Sequence, residues 1–430
     1  MTNRNAVIAL IAILLPVCLV RAQPQSSPPT NVAGIPVNYD ESLVGTYTLP
    51  DPLLMANGKK VRDTNEWFKR RRPEILRLFE ENQFGRSPGR PADLSFDVFD
   101  RGTQAFDGRA IRRQVTIYFS KNKSGPKMDL LIYLPAGARK PVPLFLNLSF
   151  TANSTAVDDP GVKPGEVWGR DKKRGPAPKG GAFGRLDVLP FLAEGMGVAT
   201  VYYGDIDPDF LGGVPYGVRA SYLKGQTEPA PNEWGAIAAW AWGLSRAMDY
   251  LETDKEIDAK RVAIFGVSRL GKTVLWAGAH DTRFAVVIAS CSGEGGAALS
   301  RRNYGETIKH LTAATRYPYQ FAANYQKYGD HVDQFPVDAH MLISLIAPRP
   351  LLLQTGDQDG WSDPKGEFAA AVAATPVFRL WGRRGIESDQ MPTAGQTLPD
   401  STLGYYMHKG GHGTIPSDWE VFRRFLKTHL

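Results

Sequence analysis

The sequence predicts an α/β fold in which a central, mostly parallel sheet is flanked by helices. The first observation is a set of short, uniformly apolar runs, which are typical of strands buried on both faces. The second is that helical stretches such as Glu233 to Leu251 separate these runs, an alternation typical of α/β topology. The predicted strands are Leu144 to Leu148, Gly197 to Tyr202, Val262 to Phe265, Ala285 to Ala289 and Pro350 to Gln354.

The chain before these runs has a different character. A helical segment, rich in Arg, Leu and Phe, is predicted from Glu66 to Gln83. Two β-like stretches with alternating polarity follow, Ala110 to Phe119 and Met128 to Leu134. Long loops at about 150–185 and 300–340 are predicted to be insertions around a functional site.

The first residues are predicted to be a signal peptide, residues 1–22. Arg4 supplies a positive start, Ala6 to Val20 form an apolar stretch, and Val20-Arg21-Ala22 resembles a cleavage site. We expect a flexible segment at 23–40 and a single catalytic domain at 41–430, since 43% of the 430 residues are hydrophobic and can form a large core. The chain is therefore expected to be secreted or periplasmic.

Two other interpretations of the first residues remain open. A membrane anchor is disfavoured because the apolar stretch is short and contains Pro16. A lipid anchor at Cys18 is disfavoured because Val17 is larger than the small residue expected there. Without its signal peptide the chain keeps only Cys291, so no internal disulfide is expected.

The net charge of +7 lies partly in the short basic runs Lys69 to Arg72 and Lys172 to Arg174. We predict that these runs are solvated surface, and the alternative is attraction to a polyanion such as an acidic polysaccharide. No nucleic-acid-binding motif accompanies them, so no nucleic-acid partner is expected.

The most informative local motif is a buried strand followed by a tight turn with Ser268 at its tip. Gly266 leaves room for the turn, and a helix is predicted to start at about Leu270. This strand-turn-helix pattern is typical of the nucleophile elbow of α/β-hydrolases, in which helix N–H groups face a developing oxyanion. The usual G-x-S-x-G pattern is altered, because the second glycine is one position later, at Gly271.

A serine nucleophile needs a general base, and His412 is the predicted one among seven histidines. It lies in a glycine-rich loop before a final amphipathic helix, Asp418 to Leu426, and fits the chain order Ser, acid, His. His408 is the local competitor. The acid should follow a late strand, and both Asp357 and Asp359 follow the strand that ends at Gln354.

Glu294 is a third candidate for the acid, since it follows the strand after the elbow, although a structural hydrogen bond would also explain it. Cys291 ends an apolar run and is predicted to be a buried structural thiol rather than a nucleophile. No metal-ligand spacing and no dinucleotide or phosphate loop is present, so neither a metal nor a cofactor is expected.

The motif Gly266-Val267-Ser268-Arg269-Leu270-Gly271-Lys272 resembles the G-C-S-R-x-G-K signature of glucuronoyl esterases, a family of carbohydrate esterases. The resemblance extends over nearly the whole chain after the signal peptide and is closer to bacterial than to fungal members. It implies a carboxylic ester hydrolase that cleaves esters between 4-O-methyl-glucuronic acid of xylan and lignin alcohols. It also implies no cofactor, and we expect a monomer without nucleic-acid partners.

The resemblance also implies roles for individual residues. Ser268 would be the nucleophile, His412 the base, and Arg269 an oxyanion donor through its side chain and backbone N–H. Three residues would contact the sugar: Lys272, Glu306 and Trp361.

The chain departs from the fungal pattern in two ways. Fungal members have a disulfide that joins the positions of Val267 and Gly413, and they take the acid from the position of Cys291. Asp359 matches the late acid of bacterial relatives, so the predicted order of preference is Asp359, then Glu294, then Asp357. Two other functions remain as alternatives: an acetyl-xylan or other carbohydrate esterase, and a non-catalytic carbohydrate-binding protein with a hydrolase-like fold.

Overall fold

A computed structural model describes residues 28–139, 141–178, 184–223, 230–396 and 401–430. The predicted signal peptide, 1–22, lies outside these residues. No helix within the described ranges is long and apolar enough to cross a membrane.

Short and long strands are distributed along the described chain. They are β1 (Asn31–Val32), β2 (Ile35–Pro36), β3 (Ser95–Ala105), β4 (Ala110–Tyr118), β5 (Lys127–Pro135), β6 (Val142–Ser149), β7 (Glu166–Trp168), β8 (Arg174–Pro176), β9 (Gly197–Tyr202), β10 (Ile257–Val267), β11 (Val286–Ser290), β12 (Leu351–Gly356) and β13 (Leu403–His408).

The α-helices alternate with the later strands. They are α1 (Thr64–Glu66), α2 (Arg72–Phe79), α3 (Asn153–Ala156), α4 (Leu189–Ala193), α5 (Tyr203–Ile206), α6 (Ala236–Leu251), α7 (Arg269–His280), α8 (Ile308–Thr312), α9 (Ala339–Ser344), α10 (Pro364–Arg379) and α11 (Pro416–His429). Two π-helical segments, Trp67–Arg71 and Glu80–Phe84, flank α2, so 64–84 is continuously helical, as predicted for Glu66 to Gln83.

One nine-stranded sheet of the described residues has the order β13-β12-β11-β10-β6-β9-β5-β4-β3. The strands from β13 to β9 are parallel, whereas β5, β4 and β3 continue the sheet in antiparallel pairs. All residues of β9, β11, β12 and β13 are buried, which explains the largely apolar composition of β9 and β11. The predicted α/β-hydrolase class is therefore confirmed.

Helices cover both faces of this sheet. On one face, α6, α7 and α10 contribute to a large apolar core, in which Trp240 and Trp276 are almost fully buried. On the other face, α4 and α11 pack against β6 and β10, with Phe145 stacked on Phe191 at a centroid distance of 4.8 Å. The result is a three-layer arrangement of helices, sheet and helices.

Residues 23–27 of the segment predicted to be flexible at 23–40 lie outside the described residues, and its described part differs from that prediction. From residue 31 it forms a hairpin, β1 and β2, followed by backbone contacts to a distant loop. Asn38 donates from Nδ2 to the Asn303 carbonyl at 2.6 Å, and its own carbonyl accepts from Gly305 N–H at 2.8 Å. These contacts join sequence positions about 265 residues apart, and composition alone does not reveal them.

Candidate active site

The loops that carry the candidate residues all leave one edge of the sheet. Parallel pairing aligns Val267 with Ser290, and Gly356 with His408, so β10 to β13 end side by side. Because the carboxyl ends of parallel strands meet at one edge, the side chains that follow them converge there. A side chain at Gly356 would lie 2.1 Å from the Gly411 carbonyl oxygen, so this glycine lets the histidine loop approach β12.

Ser268 lies at a sharp turn between β10 and α7. Its φ is 60° and its ψ is −126°, a strained conformation for a non-glycine residue, and its N–H donates to the Ser290 carbonyl at 2.8 Å. A side chain at Gly266 would lie 2.3 Å from the Leu270 carbonyl oxygen, and one at Gly271 would lie 2.7 Å from that of Ser290. The displaced second glycine is therefore needed where α7 passes the end of β11.

His412 is hydrogen-bonded to one of the predicted acids. The distance from His412 Nδ1 to Asp359 Oδ2 is 2.7 Å; Asp359 is buried, while 44% of the His412 side chain is exposed. Burial raises the pKa of Asp359, but hydrogen bonds from His412 and Ser362 outweigh burial and leave the pKa below its ordinary value. Ser268, Asp359 and His412 line the same cleft, whose volume is about 190 Å³.

The other candidates make different contacts. Glu294 accepts hydrogen bonds from Ser300 Oγ at 2.6 Å and Tyr325 OH at 2.7 Å, a placement that does not support it as the partner of His412. Asp357 accepts from Gly410 N–H at 2.7 Å and so stabilises the histidine loop. His408, the competing base, is buried.

The competing base is also tightly held. His408 Nδ1 lies 2.8 Å from Asp418 Oδ2, and its Nε2 lies 2.9 Å from the Gly411 carbonyl oxygen. With both ring nitrogens occupied, this side chain has no nitrogen left for a serine. His408 instead joins β13 to the start of α11 and so fixes the loop that carries His412.

The burial of Glu294 is expected to make the free energy of unfolding depend on pH. Burial raises the pKa of Glu294 from its ordinary value of 4.5 to about 8. Between these values the folded chain binds more protons than the unfolded chain, so the free energy of unfolding falls as pH rises, by up to about 1.4 kcal/mol per pH unit. We expect Glu294→Gln, which can still accept from Ser300 and Tyr325, to weaken this fall between pH 5 and 8.

Urea unfolding of the variant and the wild type at pH 5 and 8 measures the difference. The exposed Glu420 provides the control, Glu420→Gln, which should keep the wild-type pH dependence. An identical pH dependence in all three proteins would contradict the protonated state of Glu294.

Arg269 directly follows the serine, and its guanidinium is fixed by a buried carboxylate. It donates to Asp209 and stacks over the Tyr317 ring at 4.8 Å. Asp209 also accepts from Tyr319 OH at 2.9 Å and Gln320 Nε2 at 2.7 Å. Burial lowers the pKa of Arg269, but the negative charge of Asp209 outweighs it and holds the pKa above its ordinary value. The guanidinium is therefore a fixed positive charge beside Ser268.

The predicted sugar-contacting residues lie together on the other wall of the cleft. Lys272 donates to the Ser292 carbonyl at 2.7 Å and lies 3.8 Å from Glu306 Oε2. Burial lowers the pKa of Lys272 and raises that of Glu306, in each case against the effect of the opposite charge. Trp361 lines the same cleft and accepts through its carbonyl from Glu306 N–H at 2.9 Å.

Sequence reasoning missed two residues of the site: Arg316, which lines the cleft, and Asp209, which holds the guanidinium of Arg269. Arg316 donates to Glu306 Oε1 at 2.7 Å and lies over the Trp361 ring at 5.2 Å, while its Nε is buried without a hydrogen-bond partner. Neither residue lies in a recognisable motif. Their places depend on contacts between distant segments, which a single sequence does not show.

Cys291 lies beneath the histidine loop. Its Sγ accepts from Gly413 N–H at 3.2 Å, and burial raises the pKa of the thiol to about 12. Ligand atoms of Cys291, Asp359 and His412 lie within 4.8 Å of one another. Asp359 and His412 are hydrogen-bonded to each other, and the Cys291 thiol resists ionisation. The closeness of the three side chains therefore gives no reason to assign a metal to them.

Comparisons with known proteins give one consistent family. A family model described as glucuronyl esterase of fungi matches residues 229–382. A carbohydrate esterase from an unknown prokaryotic organism is 46% identical over 403 residues, which cover 91% of this chain and 92% of that protein. A 4-O-methyl-glucuronoyl methylesterase from Podospora anserina is 28% identical, over 78% of this chain and 61% of its own length.

A solved structure extends the comparison to the fold. The glucuronoyl esterase from Solibacter usitatus is 47% identical and superposes with a TM-score of 0.86, over 90% of this chain and 100% of that one. The resemblance predicted from the serine motif is therefore confirmed.

Proposed function

The chain belongs to the glucuronoyl esterases, which are carboxylic ester hydrolases, and we propose that it cleaves esters between the carboxyl of (4-O-methyl-)glucuronic acid on xylan and lignin alcohols. The observation that carries the proposal is the hydrogen bond from His412 to Asp359 in a cleft that also contains Ser268 and the ionic pair Lys272–Glu306. A serine mechanism needs Ser268, His412 and Asp359. A hydroxyl-rich acyl group suits the pair of Lys272 and Glu306.

The proposed reaction has two halves. His412 accepts the Ser268 proton as Oγ attacks the ester carbonyl, and the buried Asp359 stabilises the imidazolium. The tetrahedral intermediate then collapses, the bond to the alcohol oxygen breaks, and His412 gives its proton to the leaving alcohol. Water, activated by the same histidine, attacks the resulting acyl-enzyme and releases the uronic acid and free Ser268.

The negative charge of the intermediate would be stabilised at the start of α7. The first N–H groups of a helix have no partners within the helix and carry a partial positive charge. The guanidinium of Arg269 adds a full charge, and its bond to Asp209 fixes it in place before the substrate arrives. Such pre-organised donors stabilise the transition state more than the substrate.

The polar wall of the cleft would bind the sugar. Lys272 and Glu306 together provide donors and an acceptor for neighbouring hydroxyls, and Trp361 offers an apolar face for the ring. Arg316 lines the same cleft, donates to Glu306 Oε1 at 2.7 Å and lies over the Trp361 ring, so its guanidinium is held next to both proposed sugar contacts. We add Arg316 to the proposed sugar-binding residues.

The proposal also covers where the enzyme acts, its domain organisation and its assembly state. The composition of residues 1–22 supports export, so we propose a secreted or periplasmic enzyme that acts on lignocellulose. We further propose a single catalytic domain at 41–430, acting as a monomer.

The test of the proposed function compares two esters. We expect the wild type to hydrolyse benzyl glucuronate with a much higher kcat/KM than an acetylated xylo-oligosaccharide, because a small acetyl group makes no use of Lys272, Glu306 or Trp361. Hydrolysis of the acetyl ester alone would favour the general carbohydrate esterase. Folded protein that cleaves neither ester would favour a non-catalytic binding protein.

Arg269→Ala tests the oxyanion assignment. We expect a fall in kcat on benzyl glucuronate of about 10²–10³, the usual cost of one lost oxyanion donor, with a much smaller change in KM. Steady-state kinetics measure both parameters. Arg261→Ala, which removes a partly exposed ion pair with Asp258 near the start of β10, is the matched control and should keep the wild-type kcat. An unchanged kcat in Arg269→Ala would refute the role.

A further inference from the structure

The short hairpin formed by β7 and β8 presents the second basic run of the sequence at its tip. The turn between the strands is closed by a hydrogen bond from Gly169 N–H to the Lys173 carbonyl at 2.8 Å. Lys172 and Lys173 are exposed, and no carboxylate among the described residues forms an ion pair with either, whereas Arg174 is paired with two. The hairpin therefore carries two positive charges that are not neutralised.

The backbone at the tip of the hairpin is strained. The φ of Lys172 is 62°, in the left-handed region that favours glycine and costs energy for a lysine. Lys172 is also tied to a neighbouring loop, since its Nζ donates to the Leu211 carbonyl at 3.1 Å. Backbone strain of this kind is concentrated at functional sites.

Three aromatic rings pack together next to these lysines. The ring centroid of Trp168, on β7, is 5.3 Å from that of Phe210 and 5.8 Å from that of Tyr216. Lys172 Nζ lies over the Phe210 ring at 5.7 Å, and the Arg174 guanidinium lies over the Trp168 ring at 5.7 Å. Tyr216 is 60% exposed, more than any other aromatic residue among those described. This tyrosine therefore offers an exposed ring close to the unpaired lysines.

The lysines and the rings lie beside the catalytic cleft without lining it. Phe210 directly follows Asp209, the carboxylate that holds the Arg269 guanidinium. Trp168 Nε1 donates to the Gly204 carbonyl at 2.8 Å, in the helix α5, whose first residue, Tyr203, donates to Asp209 Oδ2 at 3.0 Å. We call these five residues, none of which lines the cleft, the basic-aromatic surface: Trp168, Lys172, Lys173, Phe210 and Tyr216.

The chemistry of the basic-aromatic surface favours a polysaccharide that carries carboxylates. An exposed tyrosine ring can pack against the apolar face of a sugar, and unpaired ammonium groups attract anions. A uronate-bearing xylan has both parts, sugar rings along its backbone and carboxylates on its branches. A neutral aromatic polymer would use the ring but not the lysines.

We propose that the basic-aromatic surface binds a second segment of the acidic polysaccharide while the cleft holds the esterified glucuronate. The proposal rests on the proposed function, because it takes that polymer as the substrate. Tyr216 packs on a backbone sugar, and Lys172 and Lys173 bind the carboxylate of a uronate that is not esterified. Binding at this surface raises the effective concentration of the ester at Ser268, so it matters for a polymer and not for a small ester.

Kinetics on two substrates separate the surface from the cleft. We expect Tyr216→Ala and the double variant Lys172→Gln/Lys173→Gln each to lower kcat/KM on methyl-esterified glucuronoxylan by roughly 10-fold at low salt. High salt should remove most of the effect of the lysine variant, because it screens exposed charges. On benzyl glucuronate, which fits within the cleft, both variants should match the wild type.

Matched control variants lie elsewhere on the protein. Lys69→Gln/Arg70→Gln removes the same charge from the exposed part of the other basic run, and Tyr47→Ala removes another exposed tyrosine. Both should keep the wild-type kcat/KM on the polymer. An equal loss in the control and the Lys172→Gln/Lys173→Gln variant would overturn the proposal, since net charge alone would then explain the effect.

Binding to unesterified glucuronoxylan gives a readout that is independent of catalysis. In affinity gel electrophoresis, Ser268→Ala should be retarded by glucuronoxylan and less by neutral arabinoxylan, and adding Tyr216→Ala or Lys172→Gln/Lys173→Gln should weaken the retardation. Equal retardation in all variants, or equal retardation by both polysaccharides, would overturn the proposal. Binding to anionic phospholipid vesicles in place of glucuronoxylan would overturn it as well. A wild type that is retarded by glucuronoxylan but cleaves no ester would instead refute the proposed function.

Discussion

Ser268→Ala is expected to lower kcat on benzyl glucuronate by about 10⁶-fold, the largest effect of any single substitution in this chain. The alanine removes the hydroxyl oxygen that we propose forms the acyl-enzyme bond, while Arg269 and the helix N-terminus stay in place. The residual rate would come from these donors and from substrate binding. A serine-reactive phosphonate, followed by mass spectrometry, should label the wild type at Ser268 and leave the variant unlabelled.

The fold should survive this change. Ser268 already has a φ of 60°, and alanine has no larger side chain to strain the turn further. Its backbone N–H keeps the bond to the Ser290 carbonyl. We therefore expect a melting temperature close to that of the wild type, with Ser124→Ala in an exposed turn as the control. Substantial activity in a folded Ser268→Ala would point to another nucleophile, and Cys291→Ala would test the nearest thiol.

The parallel part of the sheet could be predicted from sequence because its strands are buried on both faces. Such strands are uniformly apolar, and β9 was predicted with its observed bounds. The two edge strands were missed. Most of β3 is polar and exposed, so it lacks a hydrophobic signal. The strand β13 contains a glycine, two tyrosines and a histidine. Without knowledge that these residues are buried, this composition favours the prediction of a loop.

Local motifs predicted the residues around the reacting atoms, whereas long-range contacts had to be seen in the structure. The turn chemistry pointed to Ser268, and chain order pointed to His412. From the residues alone Asp357 and Asp359 were equivalent, and the resemblance favoured the second. Asp209 and Arg316 had no sequence signal, because both lie in loops without a regular pattern. Asp209 pairs with Arg269, 60 positions away, and Arg316 pairs with Glu306, 10 positions away.

Charge patterns were a weaker guide than motifs. The basic run Lys69 to Arg72 was predicted to be solvated surface, but Arg71 is buried and donates to the Pro52 carbonyl at 3.1 Å. Arg72 is half-buried, and it donates to the carbonyl of Ala279, at the end of α7. A helical turn brings successive residues to different faces, so a run of four charges cannot all remain in solvent when one face packs on a core.

The choice among the three candidate acids leads to an ordered set of expected rates. Asp359→Asn should lower kcat on benzyl glucuronate by about 10⁴-fold. An asparagine amide at this place can donate to His412 Nδ1, which leaves the proton on Nε2 and prevents that nitrogen from accepting the serine proton. The substitution keeps the size of the side chain, so the buried site should stay folded, and circular dichroism with thermal unfolding checks this.

The two other carboxylates serve as matched controls in the same assay. Glu294→Gln should stay within about 10-fold of the wild type, because its hydrogen bonds go to Ser300 and Tyr325 rather than to His412. Asp357→Asn should have a similarly small effect, since an amide oxygen can still accept from Gly410 N–H. A larger loss in Glu294→Gln than in Asp359→Asn would transfer the role of the acid to the strand after the elbow. The observed ordering of the three rates therefore decides which carboxylate stabilises the imidazolium, independently of any resemblance to other esterases.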